Sequence, residues 1–135
     1  MKLIKLVPFV CIIFLIFQNC SQPEGPTYCT AEFVMHSITV LDQDGTPADS
    51  VQITVTNEGD GSVYPCDEYL CKERQPGTYT IMHDGFLEDL SSNGETVVVE
   101  GVKDSLQFSE EFIFQGDECH VVKLAGPDTV SFSSN

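Results

Sequence analysis

The sequence has no tryptophan and very few basic residues. Its 135 residues contain 6 Lys and Arg against 21 Asp and Glu, which gives a formal net charge of −15. Nucleic-acid binding needs a surplus of cations to neutralise phosphates, and electrostatic docking on anionic lipid needs a basic patch, so this balance argues against both. Without tryptophan, aromatic stacking on sugar rings would depend on the tyrosines. We expect one of them to lie in the hydrophobic core. These are Tyr28, Tyr64, Tyr69 and Tyr79, with Tyr79 the expected core residue.

The longest apolar stretch is too short to cross a membrane. It runs from Leu6 to Phe17, follows Lys2 and Lys5, and ends at a polar Gln-Asn pair. A membrane-spanning helix needs about 20 apolar residues, whereas the apolar region of a secretory signal has roughly 7–15. Residues 1–19 are therefore predicted to be a signal peptide that is removed on export.

The end of this stretch, Leu15–Ser21, resembles a bacterial lipoprotein signal. In that family the cysteine after the apolar region is acylated and becomes the first mature residue, which implies lipidation of Cys20 and a membrane anchor through that lipid. Cys11 is a poor rival, since cleavage there would leave half of the apolar run on the mature protein. Ser21 lacks the acidic second position that retains some lipoproteins in the inner membrane, so the outer membrane is favoured. The alternative is an ordinary secretory signal with Cys20 unmodified.

The residues after the signal divide into a tether and a β domain. Residues 21–27 are small, polar or Pro and Gly, a composition that cannot bury enough surface to fold. We therefore assign 20–30 to the lipidated cysteine and tether, and 31–135 to one folded domain.

The domain has the alternation and turn signals of an all-β fold. In the segment that begins at Val51, aliphatic and polar residues alternate, as in a half-buried strand. About seven short strands separated by turns predict an antiparallel β-sandwich, with at most one helical turn between Cys66 and Glu73. The predicted strands are Phe33–Leu41, Val51–Thr56, Thr78–Met82, Val97–Val99, Leu106–Phe114, Cys119–Leu124 and Val130–Phe132.

Two segments of the domain resemble carboxypeptidase regulatory-like domains. Ser37–Pro47 resembles their opening strand and turn, and Pro76–Ile81 followed by Asp84–Phe86 resembles their Pro-Gly-Thr-Tyr strand. The likeness covers residues 37–100 and departs at Cys66–Glu73. It implies a transthyretin-like, Ig-like sandwich that serves as a binding, spacing or stabilising module. It implies neither peptidase activity nor any active-site residue here.

Four cysteines fall in the mature protein, and an even number in an exported domain predicts disulfides. Cys66 and Cys71 are close in sequence, which favours a local bridge and leaves Cys29 to pair with Cys119. Zinc is the alternative, because Cys66 and Cys71 have ligand spacing and His83, Cys119 and His120 are further candidate ligands. Adjacent strand residues point to opposite faces, however, so Cys119 and His120 would not easily share one metal.

The residues that could carry catalysis do not form a known motif. No Gly-x-Ser-x-Gly elbow occurs in the sequence. His36, His83 and His120 each lie in strand-like runs, where a structural role is expected. Glu110 and Glu111 should face opposite sides of a strand, which suits a β-bulge better than paired-carboxylate chemistry. We predict a non-catalytic protein with no cofactor and no metal.

The sequence therefore predicts a lipid-anchored binding or structural module of the bacterial cell envelope. Its partner beyond the membrane would be an envelope protein or a glycan, and nucleic acid is excluded. The alternative is an accessory lipoprotein that binds calcium or an oligosaccharide at its acidic loops. Two turns are acidic enough for that: one holds Asp42, Asp44 and Asp49, and the other Glu58 and Asp60.

Overall fold

The computed structural model describes residues 27–132, and its regular secondary structure is mostly β-strand. Within these residues, eight strands and one short 3-10 helix, Asp84–Asp89, follow one another. Within the described range, no helix is long and apolar enough to cross a membrane. The strands are β1 Met35–Leu41, β2 Gln52–Asn57, β3 Glu73–Gln75, β4 Thr78–His83, β5 Glu95–Lys103, β6 Leu106–Gly116, β7 Val121–Ala125 and β8 Thr129–Ser131.

The strands form two sheets of four, in the orders β3-β4-β1-β8 and β2-β5-β6-β7. This confirms the predicted mostly β, two-sheet architecture. The sheets are mostly antiparallel, as predicted, with one parallel pairing, between β8 and β1. The chain leaves β7 at the edge of one sheet and passes through Gly126 to the other sheet, where it runs beside β1 in the same direction.

One contiguous core fills the space between the sheets, which gives the fold its sandwich-like form. In β2 the predicted alternation is confirmed, since Ile53 and Val55 are buried while Gln52 and Thr54 are exposed. β6 supplies a row of large aromatic side chains, Phe108, Phe112 and Phe114. Gly101 on β5 makes room for the first of them, because a Cβ there would lie 2.1 Å from the ring of Phe108.

Two short elements differ from the expectation. β3 was not predicted, because its three residues are all exposed and carry no alternation of apolar and polar side chains. It forms by pairing with β4. The segment before it consists of bends and turns with no helical turn, and the helix lies instead at Asp84–Asp89, directly after β4.

The acidic pair of β6 lies in a regular ladder. Glu110 pairs opposite Val99 and Glu111 opposite Val98 without a register shift, so the predicted bulge is absent there. Glu110 is two residues from each of the buried Phe108 and Phe112 and therefore lies on the same face of β6. Its own side chain, however, is exposed. β6 pairs with β7 only over 113–116, so within the described residues its 106–112 stretch has one edge without a strand partner.

Candidate functional site

Both predicted disulfides are present. Cys29 is bonded to Cys119 with a Cα–Cα distance of 5.2 Å, and Cys66 to Cys71 with 5.5 Å. All four sulfur atoms are therefore committed, and the zinc alternative fails for lack of free thiolates. The predicted lipidation site Cys20, like the whole signal and most of the tether, lies outside the described residues.

Asp84 organises the place where the chain enters the fold. Its carboxylate accepts hydrogen bonds from the backbone N–H of Val34 and of Val121, both at 2.8 Å. His120 Nδ1 approaches the same carboxylate to 2.7 Å, while His120 Nε2 lies 3.0 Å from the hydroxyl of Thr30. We call this group, together with the neighbouring Cys29–Cys119 bridge, the entry junction.

The entry junction holds Asp84 as an anion. Burial acts to raise the pKa of Asp84, but the hydrogen bonds from Val121, Val34 and His120 outweigh it and place the pKa below its ordinary value of 3.8. A carboxylate that accepts several N–H bonds favours its charged form. The first residues of the domain are thus fixed by a covalent bond and by charge-assisted hydrogen bonds.

The order Thr30–His120–Asp84 is that of a nucleophile, a base and an orienting carboxylate. Such a triad also needs N–H donors aimed at the developing oxyanion. Here four backbone donors close to His120 are already bonded within the fold. The N–H groups of Cys119 and His120 bond to Asp117 Oδ1 at 2.7 and 2.6 Å, and those of Val34 and Val121 bond to Asp84. The geometry therefore supports a structural junction.

Sequence reasoning missed this junction. His120 was expected inside a strand, whereas it precedes β7 and is partly exposed. Asp84 belongs to the Asp84–Phe86 segment of the family resemblance, and no hydrogen-bonding role was predicted for it. Since the three residues are far apart in sequence, only the Cys29–Cys119 pairing could have indicated that Thr30 and His120 meet.

The other two histidines are also bonded within the fold. His83 is 2% exposed; its Nδ1 accepts from the N–H of Gly85, so its Nε2 donates to Asp67 at 3.0 Å. His36 Nε2 donates to the carbonyl of Val121 at 2.9 Å. Both sites match the structural role that we expected for these residues.

The first acidic turn already holds a cation of the chain itself. Lys103 Nζ lies 2.8 Å from Asp42 and 3.2 Å from Asp49. Asp44 instead accepts from the N–H and hydroxyl of Thr46, and these bonds lower the pKa of Asp44. Calcium at this turn would have to displace the lysine, so the geometry does not favour it.

The second acidic turn borders two adjoining surface depressions of about 440 and 270 Å³, which share Asn57 and Asp60. Glu58 lines the larger one, and Tyr64 lines the smaller one. Of the tyrosines considered for sugar stacking, Tyr64 and Tyr79 are buried, whereas Tyr28 is 87% exposed. The core position expected for Tyr79 is thus confirmed. Across residues 27–132, no three His, Cys, Asp or Glu side chains are grouped to hold a metal ion.

Comparison of the chain with protein-family models, with curated proteins and with solved structures gave no match.

Proposed function

We propose that the protein is a lipid-anchored, non-catalytic module of the bacterial cell envelope, held at the outer membrane through Cys20. The observation that carries this proposal is the Cys29–Cys119 bridge, which fastens the chain to the fold directly after the predicted tether. Structural disulfides persist in oxidising compartments outside the cytosol, which supports export.

The position of the bridge suits an anchored protein. Cys20 and Cys29 are nine positions apart, so a fully extended tether spans at most about 30 Å. A force applied through the membrane anchor would act first on Cys29 and would be transmitted through the disulfide to the start of β7. The hydrogen bonds of Asp84 and His120 then share that load, so β1 is protected from being peeled away.

A non-catalytic role is supported by how the polar groups of the entry junction are used. The backbone donors around His120 bond to Asp117 and Asp84, which leaves these four groups unable to stabilise an oxyanion. The module would then act by binding or by spacing, and its partner would be an envelope protein or a glycan.

We also propose that the fold is of the carboxypeptidase regulatory-like, transthyretin-like type. The two segments that carry the resemblance are neighbours, because β1 pairs with β4 and the N–H of Val40 donates to the carbonyl of Gly77 at 2.7 Å. A Cβ on Gly77 would lie 2.7 Å from Pro47, so the Pro-Gly turn packs against the opening turn. An experimental structure with a different strand order would contradict this assignment.

The lipid anchor is tested by replacing Cys20 with Ser in the full chain. We expect the variant to leave the membrane fraction and to lack a fatty-acylated N-terminus by mass spectrometry. Cys11→Ser is the matched control, since Cys11 lies inside the predicted signal and should not change the location. If the Cys20 variant stays membrane-bound and is processed like the wild type, the lipoprotein proposal fails.

A further inference from the structure

Residues 27–33, which we call the strap, lie on the surface of the domain before β1 begins. All seven residues are exposed, and none belongs to a strand or to the buried core. The Cys29–Cys119 bridge fastens the strap to the residues before β7. The strap ends at Val34, whose N–H donates to Asp84 Oδ2 at 2.8 Å and whose carbonyl accepts from the N–H of Asp84 at 3.1 Å.

Two further contacts join the strap to the domain. The hydroxyl of Thr30 lies 3.0 Å from His120 Nε2. The ring of Phe33 is 46% exposed, and its centroid lies 5.3 Å from that of Tyr69 and 5.4 Å from that of His83. A single hydrogen bond and a half-exposed ring stabilise such a segment only weakly against the conformational freedom that it gains on release. The covalent bond is therefore its main attachment.

The second bridge closes a loop that the fold itself holds in place. Leu70, inside this loop, is fully buried, and the N–H of Cys71 donates to the carbonyl of Thr80 at 2.9 Å. The carboxylate of Asp67 accepts from the N–H of Leu70 at 2.7 Å, which keeps the loop compact. Cys66 and Cys71 therefore stay close together when the bond between them is broken.

Accessibility does not distinguish the two bridges, because each joins an exposed cysteine to a half-buried one. The exposed members are Cys29 and Cys66. The difference lies in how readily each bridge closes again. In thiol–disulfide exchange the displaced thiolate can attack the mixed disulfide and restore the bridge, at a rate set by the effective concentration of the two sulfur atoms. That concentration is high in the held loop and low for a strap that moves away.

We propose that the Cys29–Cys119 bridge is a redox switch that releases the strap while the domain stays folded. The reductant is a dithiol. One of its thiolates attacks Cys29 Sγ, the S–S bond breaks, and Cys119 leaves as a thiolate that takes up a proton. The second thiolate of the dithiol then displaces Cys29 and closes the reagent's own disulfide. The protein thus gains two electrons and two protons, which the dithiol loses.

Release of the strap changes both the reach of the chain and its surface. The first fixed residue is then Val34 in place of Cys29. For a chain anchored at Cys20, as proposed above, the tether grows from nine positions to fourteen, and its greatest span from about 30 Å to about 50 Å. The departure of Phe33 also uncovers the ring of Tyr69. The tether length rests on the proposed anchor, whereas the release of the strap does not.

The test is a titration of the full-length protein, extracted in mild detergent, with dithiothreitol under native conditions. Alkylation and mass spectrometry then identify which cysteines have been reduced. We expect the Cys29–Cys119 bridge to open at a dithiothreitol concentration at least about 10-fold lower than the Cys66–Cys71 bridge, with an unchanged far-UV circular dichroism spectrum. After that first step, NMR order parameters of the strap should fall from about 0.85 to below about 0.6, while those of β1 stay high.

Variants of the strap test why its bridge opens first. Phe33→Ala and Thr30→Ala each remove one remaining attachment, so each should lower the dithiothreitol concentration for the Cys29–Cys119 bridge about 3- to 10-fold. Tyr28→Ala is the matched control, because Tyr28 lies in the same strap but is 87% exposed, and its titration should equal that of the wild type. The Cys66–Cys71 bridge should respond alike in all four proteins.

Four results would overturn the proposal. One is the opening of both bridges at the same concentration with loss of the circular dichroism spectrum, since reduction would then follow global unfolding. The others are earlier opening of the Cys66–Cys71 bridge, a strap that stays rigid after reduction, and titrations that neither Phe33→Ala nor Thr30→Ala changes. None of them bears on the lipid anchor, which the Cys20 experiment tests separately.

Discussion

At the scale of single residues, the carboxylate of Asp84 connects the segment before β1 to the start of β7. Its side chain is 11% exposed and receives two backbone N–H bonds and one from an imidazole. Asp84→Asn keeps the shape but removes the charge and turns one acceptor into a donor. We expect it to lower the free energy of unfolding by roughly 1–3 kcal/mol, measured by urea denaturation at about pH 7.

The same residue predicts a dependence on pH. The folded-state pKa of Asp84 is depressed, so its stabilising contribution is complete above its ordinary value of 3.8 and is lost as the pH falls through the lower, folded-state pKa. The difference in stability between wild type and Asp84→Asn should therefore shrink when unfolding is repeated at about pH 3. A difference that stays constant or grows at low pH would contradict this role for the ionised carboxylate.

At the scale of elements, the two disulfides should contribute unequally. Cys29–Cys119 joins residues 90 apart, whereas Cys66–Cys71 joins residues 5 apart. In the chain-entropy model the longer loop restricts the unfolded chain more, with about 4–5 kcal/mol against about 2 kcal/mol.

Replacing each pair by serine, in separate variants, measures that difference. The Cys29/Cys119 variant should show the larger drop in melting temperature and in free energy of unfolding. A greater loss in the Cys66/Cys71 variant would show that the short bridge acts on the native loop and not through the unfolded chain.

Whether the sequence predicted an element depends on whether the element's own residues stabilise it or its neighbours do. β2 was found because its own alternation of apolar and polar residues encodes a half-buried strand. β3 could not be found, because its residues are exposed and its strand geometry depends on β4. The parallel pairing of β8 with β1 was missed for a related reason, since a three-residue strand contains nothing that fixes its direction.

The same distinction separates the candidate sites that the sequence predicted from those that it did not. The cysteine pairing could be predicted because few connectivities exist for four cysteines. The entry junction could not, because it depends on residues that only the folded chain brings together.

At the scale of the whole molecule, the dominant property is repulsion among carboxylates. The formal net charge is −15, and two of the few basic residues, Lys103 and Lys123, are paired with aspartates of the fold. A large net charge of one sign destabilises the compact state, and salt screens it. We expect the melting temperature at neutral pH to rise as sodium chloride is increased from low to physiological concentration. A fall would show that the lysine–aspartate pairs, which salt also weakens, outweigh the general repulsion.

The position of Glu110 has a consequence for how copies of this protein behave when crowded. The 106–112 stretch of β6 presents backbone N–H and C=O groups along an edge that β7 does not cover, and such edges recruit strands from other molecules into aggregates. Glu110 lies there on the same side of the strand as two buried phenylalanines, yet remains exposed. A strand added by a second molecule would enclose that carboxylate in an apolar layer, at a cost that opposes the addition. One charged side chain among the aromatic residues of β6 thus protects the protein against self-association, where a more hydrophobic residue would invite fibre growth.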